Sequence, residues 1–212
     1  MRAAAISLAS TFILFFARFL TAVRGKWDGV APTDAQRIYF ANHVSHGDLV
    51  LIWTVLPRRL RFATRPVAGS DYWLKSRLRR FIGRDVFNAV LIDRDRASRT
   101  GDPVAQMTEA LDAGSSLIVF PEGTRNTTDA PLLPFKSGLF HLAKARPDID
   151  LVPVWIDNLN RVMPKGEFVP IPLICTVTFG AALRVLETEA KQDFLARAEA
   201  ALLALSPKVS AP

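Results

Sequence analysis

The chain has few of the residues that several large protein classes depend on. It holds one cysteine, Cys175, among 212 residues, so no intrachain disulfide can form, which fits a reducing compartment. Three histidines with no cysteine partner are poor material for a metal centre, and a His43/His46/His141 set has no common ligand spacing. There is no Gly-x-Ser-x-Gly elbow, no Gly-x-Gly-x-x-Gly and no Walker loop. Ester chemistry would therefore proceed without a serine acyl-enzyme, and dinucleotide and P-loop folds lose their signatures. No internal repeat is visible. The uncharged run at the start, residues 3–17, is shorter than the roughly 20 residues that span a hydrocarbon core.

What remains is a chain that is 50% hydrophobic, too apolar for disorder and of a length that suits one domain. Its 27 Lys and Arg against 20 Asp and Glu draw polyanions: acidic lipid surfaces, phosphorylated substrates and carriers, or nucleic acid. Nucleic acid is not expected, because no aromatic-interleaved basic motif is present. Residues 3–17 carry Ile6, Leu8, Phe12, Ile13, Leu14, Phe15 and Phe16, and are followed by Arg18, Arg24, Lys26 and Trp27. That pattern suits a helix lying in or on a membrane, with Trp27 at the headgroup boundary. A signal peptide and a spanning or buried core helix are the alternatives. The expected organisation is a membrane-associating helix over residues 1–27 and a catalytic domain over 28–212.

Beyond the first helix, residues 25–33 read as linker because of Gly29 and Pro32. Strands are expected at 37–42, 60–65, 86–92, 116–120, 151–156 and 174–179. Helices are expected from Ser45 or His46 to Leu56 and at 70–82, 104–113, 136–145 and 187–205, with polar loop at 95–103. Alternation of this kind predicts an α/β fold around a mixed, largely parallel sheet. In such sheets the ligand crevice lies beyond the carboxyl ends of the strands. Asn42-His43, Asp93-Arg94 and Pro121-Glu122 all follow strand ends.

Two motifs concentrate the chemistry. In Asn42-His43-Val44-Ser45-His46-Gly47-Asp48, a histidine precedes an aspartate by five positions. On a continuous helix these would stand about 140° apart and never meet. With His43 in the loop before the helix, its ring can fold back to Asp48, which holds one nitrogen and leaves the other to take a proton. Ser45-x-x-Asp48 also has the form of a capping box, and one carboxylate can serve both purposes. His46 reads as a solvated residue at the helix start. In Phe120-Pro121-Glu122-Gly123-Thr124-Arg125, proline ends a strand, glycine lets backbone approach a ligand, and arginine offers a planar fork for phosphate. The alternative there is a turn with a surface ion pair. Arg94 and Lys136 stand near the same edge and add cations. Nine basic residues lie between Arg58 and Arg84. With Leu74, Leu78, Phe81 and Ile82 on one helical face, they suggest a surface toward membrane or carrier, or else an ordinary solvated one.

Together these blocks, with Val90-Leu91-Ile92-Asp93-Arg94 and Leu151-Val152-Pro153-Val154, resemble the glycerolipid acyltransferase family over residues 38–156. The resemblance is strongest to 1-acylglycerol-3-phosphate (lysophosphatidic acid) acyltransferases. It implies a glycerol-3-phosphate acyltransferase-like fold, His43 as general base and Asp48 as its orienting partner. It further implies that Arg94, Glu122, Gly123 and Arg125 bind the acceptor's glycerol phosphate, with Pro153 shaping the pocket; Thr124, within the same turn, and the cation Lys136 are expected to bind substrate beside them. The donor would be acyl-CoA or acyl-carrier protein, the acceptor a lysophospholipid, and no metal or cofactor would be needed. No motif assigns the oxyanion's partner; backbone amides at the helix start after His43 are candidates. The protein would sit on a membrane, at the cytoplasmic face of the inner membrane. A lyso-aminolipid or other lysolipid acceptor, or an inactive basic membrane-binding module, are the competing readings.

Overall fold

The computed structural model describes residues 1–93, 101–157 and 174–207. In chain order it begins with helix α1 (Arg2–Thr21), strands β1 (Arg24–Trp27) and β2 (Arg37–Ala41), and helices α2 (Asp48–Val55) and α3 (Arg58–Ala63). Strand β3 (Thr64–Gly69) follows, then α4 (Ser70–Trp73) and α5 (Arg77–Arg80), which runs into a π turn at Phe81–Val86. Next come β4 (Val90–Ile92), α6 (Pro103–Asp112), β5 (Ser116–Val119) and α7 (Gly138–Ala145). The last elements are β6 (Asp150–Asp157), β7 (Thr176–Phe179) and α8 (Lys191–Leu203).

The strands form one sheet in the order β1-β7-β6-β2-β5-β3-β4. Every pairing is parallel except β6 with β7, so the expected mixed, largely parallel α/β sheet is observed. Central strands are apolar on both faces because helices cover both. On β2, Ile38 and Phe40 enter the core beneath α6, α7 and α8, while Tyr39 and Ala41 enter the core beneath α2. On β5, Leu117 and Val119 face the first core and Ile118 the second. This two-residue period fixes the register and brings the carboxyl ends of β2 and β5 side by side.

Several elements differ from the sequence expectation, each for a physical reason. The supposed linker contains β1, an exposed edge strand held by parallel pairing with β7. Trp27, expected at lipid headgroups, stacks on Phe179 at 4.0 Å instead. The strand expected at 60–65 is the helix α3 followed by β3. Arg61 turns inward there and donates to the Trp53, Thr54 and Leu56 carbonyls, which ends α2. The helix expected at 70–82 breaks at Ser76, whose hydroxyl accepts the Arg79 N–H and starts a new turn. Residue 86 lies in the π turn rather than a strand, and β4 starts only after Asn88, which has φ +50°.

Candidate active site

The site is built where the carboxyl ends of β2, β3 and β5 open onto a cavity of about 920 Å³. Asn42, directly after β2, is buried and clamps the strand end to its neighbour. Its Nδ2 donates to the Ile156 carbonyl at 3.0 Å, and its Oδ1 accepts the Ile156 N–H at 2.8 Å. His43 follows, outside any helix, and α2 begins only at Asp48. The ring folds back as the spacing required: Nδ1 donates to Asp48 Oδ2 at 2.7 Å. The same oxygen accepts the Val44 N–H at 2.7 Å and the Ser45 N–H at 2.9 Å. Half of the capping box is thus formed, but the Ser45 hydroxyl accepts from Gly47 N–H rather than from Asp48. Phe120 stacks on the other side of the imidazole at 4.3 Å between centroids. With Nδ1–H committed to a fully buried carboxylate, Nε2 is the nitrogen left to accept a proton.

Four of the amides that the sequence offers as oxyanion donors are already engaged. Val44 and Ser45 N–H serve Asp48, Gly47 N–H serves the Ser45 hydroxyl, and Asp48 N–H reaches the Ser45 carbonyl at 3.3 Å.

The second motif turns tightly after β5. Gly123 N–H donates to the Phe120 carbonyl at 3.0 Å, and Gly123 has φ +70°. That backbone favours glycine, and a Cβ there would also stand 3.2 Å from Lys136 Cγ, so the lysine would have to shift by a few tenths of an ångström to admit one. Gly123, Thr124, Arg125 and Lys136 all line the cavity with His43. Arg125 and Lys136 are exposed, and neither side chain makes a hydrogen bond or ion pair with the described residues. Arg94 lies outside the described residues. Pro153 sits in β6 and is not among the residues that line the cavity.

Glu122 departs from its expected role. It is 1% exposed and does not line the cavity. One carboxylate oxygen accepts the His43 N–H at 2.8 Å and the other the Leu133 N–H at 2.8 Å. Asn126 N–H adds a bond to the His43 carbonyl at 2.6 Å, and Lys136 N–H one to the Pro121 carbonyl at 2.8 Å. Glu122 therefore stitches the histidine turn to the loop before α7, behind the residues that line the cavity. Burial raises its carboxyl above the ordinary value, opposed by the Leu133 and His43 N–H groups. A carboxyl raised in the folded state contributes stability that is full below the unfolded value near 4.5 and is lost as pH rises through the folded value. Urea midpoints of wild type and Glu122→Gln, taken upward from about pH 4, should show the wild type's margin shrinking across that window. A margin that stays flat or widens would contradict the raised carboxyl.

Sequence reasoning missed a stack at the cavity mouth. The His46 ring lies on Tyr72 at 4.7 Å and 18°, and the Arg79 guanidinium covers Tyr72 at 4.4 Å. Burial, with Arg125, His43 and Arg79 nearby, lowers the His46 pKa. Nothing local in the sequence joins residues 46, 72 and 79; only the fold does.

This arrangement presents an oriented imidazole and two cations, unpaired among the described residues, on one cavity whose inner wall is apolar (Val67, Ile92, Met107, Leu142). The Acyltransferase family model matches residues 26–157. The 1-acyl-sn-glycerol-3-phosphate acyltransferase alpha of Mus musculus is 30% identical over 167 residues, covering 73% of this chain and 53% of its own length. The 1-acyl-sn-glycerol-3-phosphate acyltransferase of Escherichia coli (strain K12) is 30% identical over 170 residues, 72% of this chain and 64% of its own. The chain thus spans about half the length of the mouse relative and under two thirds of the bacterial one. The crystal structure of the 1-acyl-sn-glycerophosphate (LPA) acyltransferase PlsC from Thermotoga maritima shares the fold, with TM-score 0.71 at 22% identity over 100% of this chain and 84% of that one. The family match starts in the edge strand, takes in both motif turns and ends with β6, and by it the chain belongs to the Acyltransferase family.

Proposed function

We propose that this chain is an O-acyltransferase that moves a fatty acyl group from a thioester, acyl-CoA or acyl-carrier protein, to the free hydroxyl of 1-acylglycerol-3-phosphate, yielding phosphatidic acid. The observation that carries the reading is the His43 ring, tied through Nδ1 to buried Asp48 and facing the cavity that Arg125 and Lys136 also line. His43 Nε2 takes the proton of the acceptor hydroxyl as its oxygen bonds to the thioester carbonyl carbon. The tetrahedral intermediate collapses with cleavage of the C–S bond, and the imidazolium returns its proton to the departing thiolate. Asp48 holds the tautomer and balances the imidazolium charge. Arg125 and Lys136 bind the acceptor phosphate, and the apolar wall takes acyl chain. The reading calls for no metal or prosthetic group. Helix α1 attaches the enzyme to a membrane, at the cytoplasmic face of the inner membrane, where lysolipid and thioester donor meet. A lysolipid panel assayed with both donors is the direct test: absence of transfer to any of them sinks the reading.

The acceptor assignment has a sharper test. A charge-assisted hydrogen bond contributes roughly 1.5–3 kcal/mol, so Arg125→Ala should raise the acceptor's apparent KM by about 10–150-fold. Donor use should change far less. Arg125→Lys should restore only part, because an ammonium lacks the bidentate fork. A loss confined to the donor would move Arg125 onto the carrier's phosphate.

A further inference from the structure

The reaction proposed above has two phosphate-bearing substrates, and Arg125 with Lys136 accounts for only one of them. The acceptor's phosphate is joined through one oxygen and one methylene to the carbon that carries the reacting hydroxyl, so it stays close to His43. The donor's phosphate stands at the far end of the pantetheine arm, a long run of amides and methylenes away from the thioester sulfur. Whatever binds it must lie farther out at the cavity mouth. A second group of cations is placed there. Lys75, in the bend between α4 and α5, lines the cavity on the segment that follows β3, whereas Arg125 and Lys136 line it on the segment that follows β5. Arg79 joins Lys75 through the stack on Tyr72.

That stack is built, not incidental. Seven residues of unbroken helix would set positions 72 and 79 about 10 Å apart along the axis. The break at Ser76, whose hydroxyl caps the Arg79 N–H, lets the guanidinium lie over the Tyr72 ring at 4.4 Å. Trp73 braces Tyr72 from within, edge-on to it at 5.3 Å and edge-on to Phe87 of the core at 5.9 Å. Gly83 makes room for that indole, since a Cβ there would stand 3.0 Å from it. The His46 ring, which lines the cavity with His43 and Tyr72, continues the stack at 4.7 Å. Burial, then the charges of Arg125, His43 and Arg79, lower the His46 pKa, so at neutral pH the ring is an uncharged aromatic step. A guanidinium lying over a ring has its face covered and its N–H groups free in its own plane. Neither Arg79 nor Lys75 has a carboxylate partner among the described residues. Holding the arginine in place before the ligand arrives lowers the entropy lost on binding a phosphate.

We infer that Arg79 and Lys75 bind the phosphate of the donor's pantetheine arm, with His46 and Tyr72 as the aromatic step that the arm crosses on its way to His43. The inference rests on the acyl-transfer reading, but its main test reads binding and not turnover. The full chain in detergent micelles is titrated calorimetrically with phosphopantetheine and with pantetheine, which differ only in the phosphate and carry neither adenosine nor carrier protein. Wild type should favour phosphopantetheine by about 10-fold or more. Arg79→Ala and Lys75→Ala should each erase much of that preference and leave pantetheine binding unchanged, and Arg79→Lys should keep part of it. Lys75 is exposed, so its variant folds even where the stack depends on Arg79. Lys191→Ala, at the start of α8, removes an equal charge outside the cavity and should keep the full preference. Donor KM should rise about 10-fold in Arg79→Ala with acyl-CoA and acyl-carrier protein alike, while acceptor KM stays put. Equal affinity of the wild type for the two probes would overturn the inference. So would a preference that survives both alanine substitutions, or one that falls as far in Lys191→Ala, which would mark general attraction of anions. A rise in acceptor KM in place of donor KM would move the two cations to the other substrate. A rise with one donor alone, the probe preference being intact, would place them on the adenosine phosphates or on the carrier protein's own surface, and would overturn it too. An inactive chain that still tells the two probes apart through Arg79 upholds the donor site even while the acyl-transfer reading fails.

Discussion

His43→Ala leaves a folded, membrane-bound protein whose acyl transfer is reduced by on the order of 10²–10⁴-fold, the usual loss when a positioned general base is removed. The fold survives because the imidazole is partly exposed at a cavity wall, and its backbone anchors stay in place. Asn126 N–H still reaches the residue 43 carbonyl, and the residue 43 N–H still reaches Glu122. What disappears is the one group among the described residues that lines the cavity with a nitrogen oriented by a buried carboxylate. Thermal midpoint and turnover with a labelled donor, measured on the same preparation, check the claim. Near-normal turnover in a well-folded variant would remove the proposed mechanism.

Asp48→Asn is expected to be nearly as damaging, on the order of 10²–10⁴-fold in kcat, as when an orienting carboxylate becomes an amide in a hydrolase triad. One oxygen of Asp48 gathers the His43 ring and two backbone N–H groups. An amide carbonyl can keep part of that set, but it brings no charge to balance the imidazolium. Because the side chain is fully buried, some stability is lost as well. The two effects separate when turnover is normalised to folded enzyme. A variant that melts earlier yet turns over normally per folded molecule would make Asp48 a cap and nothing more.

The central strands were readable because short apolar runs end at residues that stop a strand, such as Asn42 after β2 and Pro121 just after β5. The same boundaries place both motifs at one sheet edge. His43 and Asp48 were readable as a pair because their spacing works only if the helix starts late, as it does. Strand β1 was not readable: Arg-Gly-Lys-Trp has no apolar alternation, and only its distant partner makes it a strand. At residues 60–65 the alternation of Leu60, Phe62 and Thr64 with charged or small residues imitates a strand. The inward turn of Arg61 onto α2's last carbonyls decides for helix. Glu122 misled for a related reason. An acid after proline and before glycine looks like a surface turn, and nothing local reveals that two amides from elsewhere in the chain will bury it.

The pairing of Arg24–Trp27 with Thr176–Phe179 sets an order of assembly. Partners in that ladder stand 152 residues apart (176 − 24), so β1 has no neighbour until nearly the whole chain exists. Helix α2, which covers the inner stripe of α1, is made early, whereas the Cys175 tether to Thr21 arrives with β7. A contact of such long range is slow to close, because the entropy of the intervening chain must be overcome first. During synthesis, therefore, helix α1 emerges long before β7, the strand that fixes it to the sheet. In that interval the helix can meet lipid before the sheet has settled the direction in which it must lie.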